Sequence, residues 1–429
     1  MMKRCLVGWI LWFLLIAQAA WAGSYLDSAH GNPDHGVDRS HTEAKLAAYA
    51  RGNCAHCHEM HASMQGSEPA PAGGSPAPFT VFAQNFNTSV NTGPYQETDD
   101  FCFYCHNSSG SVQQVDNYDY SRTFGCEVAG EPTSILNAFN QTSYHNLYDI
   151  YDLARGKFSW FKDHSNPCVA CHNAHLARRN RSDPDNPLLT AISRPSEHFD
   201  LWGDTELMST YSYEAPYCSG SMREPGGTGT QDGSKTPDYV GLCTDCHDKI
   251  NTINSTSLGR NLKQIDWSSL GDKHGQRDRD SSNSTSVDFE EPYLTASVTE
   301  GNFVLSCLDC HEPHGSQNIM LIRRRVNGGN LGGEISAFSS NEWGYLCARC
   351  HEADTGSSAT PQWSGIHHFA GDAPYPSPGT QCGLHCHKTS PDCNGTECLS
   401  INCDNCHFHG SDDTWLQTIG EVPTYKKTF

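Results

Sequence analysis

Cys-x-x-Cys-His occurs seven times along this chain, and no other feature restricts its fold as strongly. The segments are Cys54, Cys57 and His58; Cys102, Cys105 and His106; Cys168, Cys171 and His172; Cys243, Cys246 and His247; Cys307, Cys310 and His311; Cys347, Cys350 and His351; and Cys403, Cys406 and His407. With 21 Cys and 23 His in 429 residues, chance supplies about 0.05 such matches. A zinc ribbon joins two cysteine pairs round one ion and does not need a His after every second Cys. A redox dithiol appears once in a chain rather than at regular intervals. Neither explains the repeat.

Covalent anchoring of a porphyrin does. Two thiols separated by two residues reach the two vinyl groups on one edge of the ring, and the adjoining His falls beneath it to ligate the iron. The spacing therefore predicts seven c-type haems. An eighth is expected at Cys382-Gly383-Leu384-His385-Cys386-His387, where three residues separate the cysteines and the His still follows directly. The alternative there is a disulfide-bonded loop beside Cys393 and Cys398. Of the other cysteines, Cys5 belongs to the N-terminal leader. Pairing Cys126 with Cys218, and Cys393 with Cys398, is the simplest arrangement in an oxidising compartment.

The second axial position of each iron decides what such a chain does. Filled by protein, a haem passes electrons; left open, it binds and transforms a substrate. Eight proximal histidines leave fifteen others. His61, His175 and His314 each stand three residues after a proximal His. A backbone fixed beneath one ring cannot wrap to that ring's far face, so each of these is expected to ligate a neighbouring haem. His30, His145, His274 and His368 lie in loops that can drape over a ring, and His164 precedes Cys168 by four residues. His41, His198 and His367 are reserves, and His35 and His409 read as solvated. His56 and His385 are trapped inside binding loops and are expected to point away from iron. With enough His to fill both positions throughout, the expectation is an electron carrier with no catalytic residue. The competing reading is an octahaem reductase of nitrogen or sulfur oxyanions with one open iron, although no motif here ends in Lys.

The apolar fraction is 36%, alongside 38 Gly and 22 Pro, which is little material for a core of this size. The expected fold is therefore mostly irregular, with short helices and few strands, wrapped round a closely packed chain of haems. Thr42 to Ala50 has helical character and stops at Arg51-Gly52. Glu68 to Pro78 and residues 219–236 read as surface loops. Lys3 and Arg4, the apolar run Leu6 to Ala17 and Ala20-Trp21-Ala22 have the form of a secretory signal over 1–22, leaving 23–429 as one extended domain. No later segment is long and apolar enough to span a bilayer. A net charge of −21 argues against nucleic acid and favours cationic partners or oxidised metal species. Arg178, Arg179 and Arg181, and Arg323 to Arg325, stand out against that charge as candidates to pair with propionates or with a partner's acidic face, the alternative being ordinary solvated charge.

Gly52-Asn53-Cys54-Ala55-His56-Cys57-His58-Glu59, Asn166-Pro167-Cys168 with Cys171-His172-Asn173-Ala174-His175, and Cys310-His311-Glu312-Pro313-His314-Gly315 resemble segments of multihaem c-type cytochromes from metal-reducing bacteria. Tyr144-His145-Asn146-Leu147 and Asp272-Lys273-His274-Gly275 are similar to segments of the same group. The resemblance implies bis-His haems of low potential, a periplasmic or outer-surface location, and extracellular electron transfer. It implies other redox proteins as donor and acceptor, extracellular metal oxides as acceptors, and for some members self-association into filaments. The Cys382 to His387 segment departs from the usual spacing. Intact-mass measurement of the mature protein is expected to give the chain from Gly23 plus about eight covalent haems.

Overall fold

The computed structural model describes residues 25–59 apart from 35, 41 and 42; 78–107; 132 and 134–175; 240–262, 264, 265, 272 and 274; 307–326, 329–337 and 342–350; the short strands at 355–357 and 360–362; and 409. Most of this backbone is irregular. The longest described helix, Leu147–Lys157, has 11 residues. Four two-stranded antiparallel ladders account for the paired strands among the described residues. No described helix is long and apolar enough to cross a membrane. The leader at 1–22, the loop at 219–236 and Cys126, Cys218, Cys393 and Cys398 lie outside the described residues.

The helical segment expected over 42–50 is a short 3-10 helix, Ala44–Ala48. Glu43 gives its N-terminus no side-chain cap, and Tyr49 leaves it in extended conformation. Gly52 then turns the chain into the first motif with φ +75, and its N–H bonds the Val37 carbonyl at 2.8 Å. A Cβ at this position would lie 2.4 Å from the Gly31 carbonyl oxygen, so both the turn and the close approach need glycine.

Helix Leu147–Lys157 organises the main core. The Asn146 side chain caps it by accepting from the Asp149 N–H. Asp149 in the first turn and Arg155 and Lys157 in the last complement its dipole. Leu147, Tyr151 and Ala154 fall on one face by helical spacing and pack with Phe86, Tyr95, Phe103, Phe139, Phe161 and Ala170. Tyr95 ties this cluster together: its hydroxyl accepts from the Leu147 N–H at 3.0 Å, and its backbone exchanges two hydrogen bonds with the Asn140 amide. A second core gathers Ile322, Val326, Ile335, Trp343 and Leu346, with motif residues Cys310 and Cys350 packed against it.

The ladder that matters most for the site is two residues long. Ser143–Tyr144 pairs antiparallel with Gly315–Ser316, Ser143 opposite Ser316 and Tyr144 opposite Gly315. It brings His145 beside the His311-to-His314 segment from far along the chain. Gly315 permits this approach, since a Cβ there would lie 1.9 Å from the Ala138 carbonyl oxygen. Leu147 is fully buried (0% exposed), so Leu147→Ala is expected to lower stability by about 2–5 kcal/mol. Ile250→Ala, at an 85% exposed position, is expected to change it by less than about 0.5 kcal/mol, both read from denaturant midpoints.

Candidate functional site

Each described motif is built as one tight turn. The carbonyl of the first Cys accepts from the N–H of the following His: Cys54 from His58, Cys102 from His106, Cys168 from His172, Cys243 from His247 and Cys307 from His311, at 2.8–3.0 Å. In three motifs the residue before the turn supplies a side-chain cap. Asn53 accepts from Ala55 N–H, Asp100 from Cys102 N–H and Asn166 from Cys168 N–H, at 2.8–2.9 Å. The turn leaves both cysteines and the His on fixed vectors. No disulfide closes any of the described Cys-x-x-Cys pairs.

The motif histidines stand opposite other histidines. Ring centroids are 6.1 Å apart for His58 and His175, 6.1 Å for His106 and His30, and 6.0 Å for His172 and His314. They are 5.9 Å apart for His247 and His145, and 6.1 Å for His311 and His409. Every pair joins one motif His to one non-motif His. Ordinary aromatic contact does not explain this uniformity, because the interplanar angles run from 9° to 62° while the distance hardly moves. Other aromatic pairs among the described residues spread from 4.8 to 6.4 Å. Two nitrogen–metal bonds of about 2.0 Å, each continued by about 1.1 Å to a ring centre, put two axial imidazoles about 6.2 Å apart at any mutual rotation.

Hydrogen bonding on the far side of the rings fits the same role. Nδ1 of His58 donates to the Phe79 carbonyl at 3.0 Å, that of His311 to Met320 at 2.9 Å and that of His30 to Ala174 at 2.9 Å. Nδ1 of His145 donates to the Pro313 carbonyl, and that of His314 lies 3.3 Å from Glu312 Oε1. A carbonyl or carboxylate oxygen only accepts, so each Nδ1 carries the proton and Nε2 keeps its lone pair. Each of the five pairs holds at least one ring fixed in this way. Burial pushes His106 and His247 down to about 3 and His311 to about 4, which keeps them in the neutral, ligating form. His56 is the contrast. Its Nδ1 accepts from the Arg39 N–H at 3.2 Å and its Nε2 donates to the Ala50 carbonyl at 3.0 Å, so neither nitrogen has a lone pair to offer.

The pairs interlock by a rule. His175, from the third motif's His-Asn-Ala-His, faces the first motif, while the Ala174 carbonyl holds His30, which faces the second. His314, from the fifth motif's His-Glu-Pro-His, faces the third, while the Pro313 carbonyl holds His145, which faces the fourth. A second repeat joins the first and fifth motifs. Glu59 N–H bonds the Thr80 carbonyl and Phe82 N–H the Cys57 carbonyl; Glu312 N–H bonds Leu321 and Arg323 N–H bonds Cys310 in the same register. In both loops two non-glycine residues are left-handed: Phe79 and Thr80 with φ 69 and 49, Met320 and Leu321 with φ 55 and 60. Such residues cost about 1–3 kcal/mol each and persist where the surroundings impose them. Here they aim the Phe79 and Met320 carbonyls at His58 and His311.

The other histidines singled out from sequence are placed differently. His164 is exposed and faces no described motif His; its carbonyl accepts from Asn85 instead. His274 is half-buried. His409, read from sequence as solvated, faces His311 and lies 3.4 Å from the buried Asp272 carboxylate. Its signal was its place two residues after His407, too close to reach that residue's far face. His61, His351, His368, His387, His407, Cys382, Cys386, Cys403 and Cys406 lie outside the described residues. Arg323, one of the basic cluster, is buried and pairs with Glu312 at 3.1 Å.

Burial pushes the thiols up: Cys57 and Cys171 to about 11, Cys105 and Cys246 to about 12. Nucleophilic or redox-exchanging cysteines need the opposite shift. Asp100, Cys102 and Cys168 place their ligand atoms within 4.8 Å of one another, but three donors from two different motifs fall short of a structural zinc set. Paired imidazoles, one of each pair following two cysteines on a fixed turn, are a donor set that would suit an iron porphyrin. Comparison with family models, curated proteins and solved structures finds no match to this chain.

Proposed function

We propose that this chain is a multihaem c-type cytochrome that transfers electrons through about eight covalent haems, each iron held between two imidazoles. The observation that carries the reading is the set of histidine pairs about 6 Å apart, each combining a motif His with a distant one. Haem, once bound, supplies an iron that gains and loses a single electron. Everything else is the work of the chain. Cys54 and Cys57, and their counterparts in each motif, hold the ring edge. The motif His would hold the iron from its own turn, and His30, His145, His175, His314 or His409 would supply a second nitrogen.

Occupying both faces with imidazole leaves no coordination position for a substrate, which favours a carrier over a reductase. Holding the rings from behind through Nδ1 limits reorganisation when charge changes. Sharing His172 and His175, or His311 and His314, between two sites keeps neighbouring centres a few residues apart. We place the protein in the periplasm or on the outer surface, donating to extracellular acceptors such as metal oxides and accepting from other redox proteins. This reading accommodates a filament subunit as well as a soluble shuttle or a component of a complex.

The expected spectrum of the holoprotein is six-coordinate and low-spin at every haem. In His175→Ala, one haem, at His58, is expected to become high-spin while that at His172 stays low-spin, as read by electron paramagnetic resonance. A wild-type haem that is high-spin and binds nitrite or hydroxylamine would favour the reductase.

A further inference from the structure

The histidines that face a motif fall into two series when the Cys-x-x-Cys-His turns are numbered along the chain. In the odd series the donor follows a motif two places later. His175 follows the third motif and faces His58 of the first, and His314 follows the fifth and faces His172 of the third. His409 follows the seventh, at Cys403, and faces His311 of the fifth, so the step holds a third time. In the even series the donor comes from the segment just before the preceding odd motif. His30 lies before the first motif and faces His106 of the second. His145 lies between the second and third motifs and faces His247 of the fourth. The sixth motif, Cys347 and Cys350 with His351, is the next term, and its donor belongs between the fourth and fifth motifs.

Residues 248–306 contain a single histidine, His274. Both even donors are bonded to the loop that carries an odd donor. His30 Nδ1 donates to the carbonyl of Ala174, one residue before His175, and His145 Nδ1 to that of Pro313, one residue before His314. The segment at His274 meets the third odd donor as well. Asp272, fully buried at 0% exposure, lies 3.4 Å through Oδ1 from Nδ1 of His409. Two residues of chain span at most about 7 Å, so this contact keeps His274, itself half-buried, beside His409. Space agrees with order, because Cys350 of the sixth motif packs against the same core as Cys310 of the fifth, whose His311 faces His409. His164, the other histidine between the second and third motifs, is exposed and belongs to neither series.

Resting on the reading that each motif carries a haem held between two imidazoles, we propose that His274 is the second axial ligand of the iron at the sixth motif, opposite His351. The even series then runs His30, His145, His274 for the second, fourth and sixth motifs. Each of its members reaches its iron from a segment fastened to the loop of an odd donor.

The test is electron paramagnetic resonance on the oxidised, full-length holoprotein carrying His274→Ala. Intact mass is expected to show every haem retained, because the cysteines and His351 are untouched. One haem per chain is expected to become high-spin, and added imidazole to return it to low-spin. Cys347→Ala with Cys350→Ala removes the sixth haem, and in that background His274→Ala is expected to add no high-spin signal. Absence of a high-spin haem in His274→Ala overturns the proposal, as does one that persists without the sixth haem. Cryo-electron microscopy of the wild-type holoprotein decides without a variant. An iron bonded to both His274 and His351 supports the assignment, and a sixth-motif iron bonded to another histidine, such as His368, overturns it. Absence of covalent haem on Cys347 and Cys350 in wild type, seen by peptide mass, overturns the underlying reading and is distinct from both.

Discussion

Each imidazole pair depends on a hydrogen bond made on the far side of its ring. An Nδ1–H held by a backbone carbonyl or a carboxylate fixes the tautomer, turns Nε2 inward with its lone pair, and sets the plane of the ring. In this chain those acceptors are Phe79, Ala174, Met320 and Pro313, with Glu312 at the side chain of His314. Much of the irregular backbone exists to bring these oxygens into place. The left-handed pairs Phe79–Thr80 and Met320–Leu321 and the two-residue ladder at Tyr144 and Gly315 all serve that end.

The interlocking of the pairs explains how a chain with modest apolar content holds long-range order. His-x-x-His gives one ring to its own motif and the next to a motif two places earlier, while the carbonyl between them holds the distal His of the motif in between. Contacts spanning more than a hundred residues are thereby fixed at a few points, such as His30 with Ala174 and His145 with Pro313. The aromatic core round Tyr95, Phe103 and Leu147 and the second core round Ile335 and Trp343 fill space beside these points. On the proposed reading, filling both faces of each iron would separate a carrier from a catalyst.

Much of this was legible in the sequence, for identifiable reasons. The motif turns are local, so Cys-x-x-Cys-His can be read directly, whereas the caps Asn53, Asp100 and Asn166 came only with the structure. His175 and His314 followed from a steric argument about reach. What sequence did not show was pairing, because partners lie far apart and their loops share no residues: Phe79-Thr80-Val81 and Met320-Leu321-Ile322 do one job with different side chains. His409 was passed over because its neighbours look solvated, and His164 was favoured for closeness to Cys168 although its side chain is exposed. The helix expected over Thr42 to Ala50 shortened to a 3-10 turn for want of a cap.

The central claim is that each pair of facing imidazoles is the axial ligand set of one iron. Anomalous diffraction from crystals of the holoprotein, collected on either side of the iron absorption edge, addresses it directly. The account predicts an iron peak midway between the rings of His58 and His175, His106 and His30, His172 and His314, His247 and His145, and His311 and His409. Iron bound elsewhere, or these rings packed against each other with no metal between them, would contradict it.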